Sequence, residues 1–78
     1  MDKKELIAEV KSAMAKKNIN NVDIKDCVVM GALNVSNVCL MGNDIHFIVE
    51  WPIWTNASIS GLSDTDAKKV LEKALQAV

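Results

Sequence analysis

The chain has 78 residues, half of them hydrophobic, with ten acids against nine lysines, no arginine and a formal net charge of −1. This describes one small domain, too apolar for disorder and without the basic field that gathers nucleic acid or anionic lipid. The missing arginine removes the residue best suited to bidentate phosphate contacts, and the single histidine removes most acid–base constellations.

No apolar run approaches the ~20 residues of a membrane span. The start, Met1-Asp2-Lys3-Lys4-Glu5, is charged and leads into an amphipathic pattern, not into the apolar stretch of a signal peptide. The expectation is a cytoplasmic protein with Cys27 and Cys39 as reduced thiols. In that compartment the glycosylation-like triplets Asn34-Val35-Ser36 and Asn56-Ala57-Ser58 carry no meaning.

The first predicted element is a helix over about residues 3–17. Leu6, Ile7, Val10, Ala13 and Met14 fall at helical spacing. Asp2 is its expected N-cap, with Glu5 in the capping-box position. Asn18-Ile19-Asn20-Asn21 ends it, because Asn tolerates turn and left-handed backbone.

The middle reads as β. In residues 23–33 the run Cys27-Val28-Val29-Met30 is apolar on both faces, which predicts a central strand or one covered on both sides. Residues 35–41 and 45–51 flank Gly42-Asn43-Asp44, a hairpin signal. In the second arm Ile45, Phe47, Val49 and Trp51 should face the helices, and His46, Ile48 and Glu50 should face solvent or a partner. Pro52 stops the ladder, and residues 55–60 are a candidate short edge strand. The last helix is expected over about residues 64–77. Ser63 is its N-cap, and Asp64 and Asp66 sit in its first turn. Ala67, Val70, Leu71, Ala74, Leu75 and Val78 form its buried stripe. The expected fold is a single α+β domain: a two-layer α-β-β-β-α sandwich, its antiparallel sheet carrying both helices on one face.

The stretch Gly61-Leu62-Ser63-Asp64-Thr65-Asp66-Ala67-Lys68, at the start of the last helix, resembles the corresponding helix opening of double-stranded-RNA-binding domains. The Gly, Ser, Ala and Lys agree, and so does the order of elements. The lysine pair with which that family grips phosphates falls here on Asp64 and Thr65. The resemblance implies a divergent nucleic-acid-binding module as the alternative function, with a carboxylate where phosphate would have to sit.

The remaining chemistry-bearing residues have structural readings. Cys27 and Cys39 stand twelve apart without metal-ligand spacing and read as small buried thiols. His46, with Asp44 two residues before it, lacks a nucleophile elbow and reads as a solvated histidine. Asp23 with Asp26, and Asp64 with Asp66, suit a strand start and a helix cap. The lysines of the first helix alternate with Glu5 and Glu9, giving a mixed wet face. No catalytic, cofactor or metal residues are assigned. Trp51-Pro52-Ile53-Trp54 is the least ordinary feature: Trp51 continues the core alternation, while Ile53 and Trp54 offer an apolar anchor beyond it. The sequence therefore reads as a non-catalytic interaction module, such as a regulator or an inhibitor encoded by a mobile element. It is expected to bind a protein and to form a homodimer through the outer sheet face or an edge strand. The expected contact residues are Ile48, Ile53, Trp54 and Met41, with Met30 and Cys39 nearby.

Overall fold

A computed structural model describes residues 1–31, 33–49 and 55–78. The first helix, α1, runs Lys3–Lys16. Four antiparallel strands follow: β1 (Asn21–Met30), β2 (Leu33–Met41), β3 (Asp44–Val49) and β4 (Thr55–Ser58). A 3-10 turn, Ile59–Gly61, leads into the last helix, α2 (Asp64–Ala77). The sheet order is β1-β2-β3-β4, a plain meander. The fold is α+β as expected, with the short candidate segment forming a fourth strand.

Local chemistry explains the boundaries. Asp2 caps α1 by accepting the Glu5 N–H at 2.8 Å, and Asn18 ends it at φ +54. Ser63 caps α2 by accepting the Asp66 N–H at 3.2 Å. Met41 pairs with Asp44, so Gly42-Asn43 is a two-residue hairpin loop. Gly42 has φ +65 while Asn43 does not take a positive φ, the pattern of a type II′ turn.

Both helices cover one face of the sheet. Leu6, Val10 and Met14 of α1, and Ala67, Val70, Leu71 and Ala74 of α2, join one core with the inward strand residues. Val22, Val35, Val38, Ile45, Phe47 and Val49 supply most of the strand side. Ala67 and Ala74 are fully buried, and their small side chains let α2 lie close against α1 and β1.

Three expectations are corrected. β1 is an edge strand, not a central one. Within its apolar run Val28 is buried but Val29 is 61% exposed and Cys27 is exposed. Val29 pairs with Asn34 and lies on the face turned away from the helices, while Cys27 falls in a large bulge: Asp23 pairs with Asn37 and Val28 with Val35, leaving residues 24–27 out of register. Met30 packs against the core on the helix side, which removes it from the outer face. Ile53 and Trp54, with the core role expected of Trp51, lie outside the described residues. Among the described residues no helix is long and apolar enough to cross a membrane.

Candidate binding face on the sheet

The strand registers define the face turned away from the helices. Directly paired residues share a face, so two rungs run across all four strands. One holds Asn21, Cys39, His46 and Ser58; the other holds Asp23, Asn37, Ile48 and Asn56. Met41 with Asp44, and Val29 with Asn34, extend the face at its two ends. Of the predicted contact residues, the structure thus brings Ile48, Cys39 and Met41 onto one surface. Ile48 and Cys39 are half-buried and Met41 is exposed.

Asn37 dominates the polar geometry. The residue is 8% exposed although it lies on the face away from the helices. Its Nδ2 donates to Asp23 Oδ1 at 2.7 Å and also to Asn21 Oδ1. Its Oδ1 is buried and, among the described residues, has no partner. A buried acceptor without a donor costs about 1–3 kcal/mol. Such a group on a binding face is a place where a partner can supply what the fold does not.

The second polar group is His46. Its Nδ1 lies 2.8 Å from Asn56 Oδ1. Oδ1 only accepts, so Nδ1 is the donor, and in the neutral ring the lone pair is then on Nε2. Asp44, the partner suggested by sequence proximity, shares the face but makes no side-chain hydrogen bond to the ring among the described residues. Cys39 stands directly across from His46. Burial pushes its thiol above the ordinary value, the wrong direction for a nucleophile. The set Cys39, His46, Asn56 thus has the residue types of a thiol hydrolase without the activation such a site needs.

The sequence reading missed both Asn37 and the Cys39–His46 opposition. The second was accessible: in a two-residue hairpin centred on Gly42-Asn43, positions 39 and 46 must face each other.

Elsewhere, a groove of about 360 Å³ lies between the β1 bulge and α2, lined by Asp26, Cys27, Lys69, Glu72 and Lys73 among others. Its charges are mixed, and Cys27 stands exposed there, not packed as a small hydrophobe. Lys3 joins the two helix ends: its Nζ donates to the carbonyls of Ser60 at 3.1 Å and Leu62 at 3.0 Å, and lies 3.8 Å from Asp64. Comparison with protein-family models, with curated proteins and with solved structures finds no match to this chain.

Proposed function

We propose that this chain is a non-catalytic interaction module that binds a protein through the outer face of its sheet. The observation that carries this reading is the pair of rungs described above. They combine a half-buried Ile48, hydrogen-bonded amides and a buried acceptor on Asn37 that has no partner among the described residues. Interfaces of non-obligate complexes are about as polar as ordinary surface, with a few apolar anchors inside. Obligate dimer interfaces are more hydrophobic than this face, so the contact is one that forms and dissociates. Edge pairing is disfavoured on both sides. β1 is bulged and carries exposed Lys25 and Asp26, and β4 is only four residues long.

Duplex RNA is the weaker reading. The two rungs contain Asp23 and no lysine, and Lys3, the first residue of α1, is engaged with the carbonyls of Ser60 and Leu62 and with Asp64. The test is affinity capture from the native cell with three baits: wild type, Ile48→Lys on the face, and Lys69→Glu on α2. The reading expects a stoichiometric protein partner on wild type and Lys69→Glu, lost on Ile48→Lys. Loss on Lys69→Glu alone, or recovery of salt-sensitive RNA instead of protein, contradicts it.

A further inference from the structure

We infer that Cys39 and His46 form half of a zinc site, completed by the same two residues of a second copy of this chain. This rests on the face assigned above and names one partner for it. The register places the two residues directly opposite each other on neighbouring strands. Directly opposed Cα atoms in an antiparallel pair stand about 4.5–5.5 Å apart. A thiolate and an imidazole from such a pair can reach one ion at the ordinary bond lengths of about 2.3 Å and 2.0 Å.

The histidine is prepared for this role. A metal-binding imidazole characteristically gives its other N–H to an oxygen acceptor, which fixes the tautomer and the ring plane. His46 does so with Asn56 Oδ1, leaving Nε2 for the ion. Both side chains are half-buried on a face that no described helix covers. The described residues of one chain do not finish the site: no three His, Cys, Asp or Glu side chains converge among them, and structural zinc takes four ligands. A two-fold axis through the ion supplies Cys39 and His46 twice, giving the Cys₂His₂ set, and brings the two outer faces together in an isologous contact. Coordination replaces the thiol proton of each Cys39, which passes to solvent. The ion holds together a face too polar to associate firmly by apolar burial alone.

Cobalt(II) is the probe, since it occupies tetrahedral zinc sites and is coloured. Titration of the full chain should saturate at one ion per two chains. Tetrahedral visible bands and a thiolate charge-transfer band should appear, and zinc should abolish both. Sedimentation equilibrium should give dimers with zinc and monomers with chelator. Cys39→Ser and His46→Gln should each lose the bands and the zinc-dependent dimer while keeping the wild-type circular dichroism. Cys27→Ser should retain all three. Asn56→Ala, which removes only the orienting acceptor, should weaken metal affinity by about 10–100-fold. No metal uptake, saturation at one ion per chain without dimers, or uptake that survives Cys39→Ser overturns the inference. If no metal binds but Ile48→Lys still abolishes partner capture, the binding-face reading stands and the zinc site alone falls.

Discussion

At Asn37 the fold tolerates a cost that a different side chain would avoid. The amide leaves Oδ1 buried without a donor among the described residues, while Nδ2 holds Asp23 and Asn21. Asn37→Leu keeps the branched shape and removes the orphan acceptor. It should leave the denaturation midpoint unchanged or raised, and weaken partner binding. A loss of more than about 2 kcal/mol in urea unfolding would show the amide to be structural instead. Cys39 gives a pH prediction. Desolvation disfavours its thiolate in the folded state and raises its pKa above 9.0. Its contribution to stability is therefore full below the unfolded-state value and is lost as pH rises through the folded one. Cys39→Ala should reduce the loss of stability between neutral and strongly alkaline pH. Chemical denaturation at both pH values checks this, and an unaltered loss contradicts it. The face of Asn37 was not legible from alternation, which would place it on the same side as Val35. A bulge between Val35 and Asn37 sends Val35 into the core and Asn37 to the other face.

The elements whose signals are local were the legible ones. Asp2 and Ser63 cap the helices that their spacing announced, and Gly42 marks the hairpin. That turn carries its own prediction. Gly42 sits at φ +65 with open space where a Cβ would go, so Gly42→Ala meets no clash, only backbone strain. It should cost about 1–2 kcal/mol, read from thermal or urea unfolding; a neutral effect would contradict the assigned turn. β1 was misread for a physical reason. A run apolar on both faces resembles a doubly covered strand. Here Val28 alone is buried and Val29 is exposed, because register is set by pairing with β2 and not by composition. The bulge at residues 24–27 guards an open sheet edge.

For the whole molecule, the decisive fact is asymmetry between the two sides of one sheet. One side is buried under α1 and α2 around Val35, Val38, Phe47 and Val49. The other presents ordered amides, Ile48 and the opposed Cys39 and His46. A sequence reading could assign the first side, because core formation leaves a periodic trace. The second depends on which residues the strand registers bring side by side, and periodicity does not encode that. The most direct test is amide chemical-shift mapping of the ¹⁵N-labelled chain as the captured protein partner is added. The account predicts shifts centred on Asn37, Cys39, His46, Ile48 and Asn56, with Lys68, Lys69, Glu72 and Lys73 unmoved. Shifts centred on those α2 residues, with the sheet face silent, would contradict it.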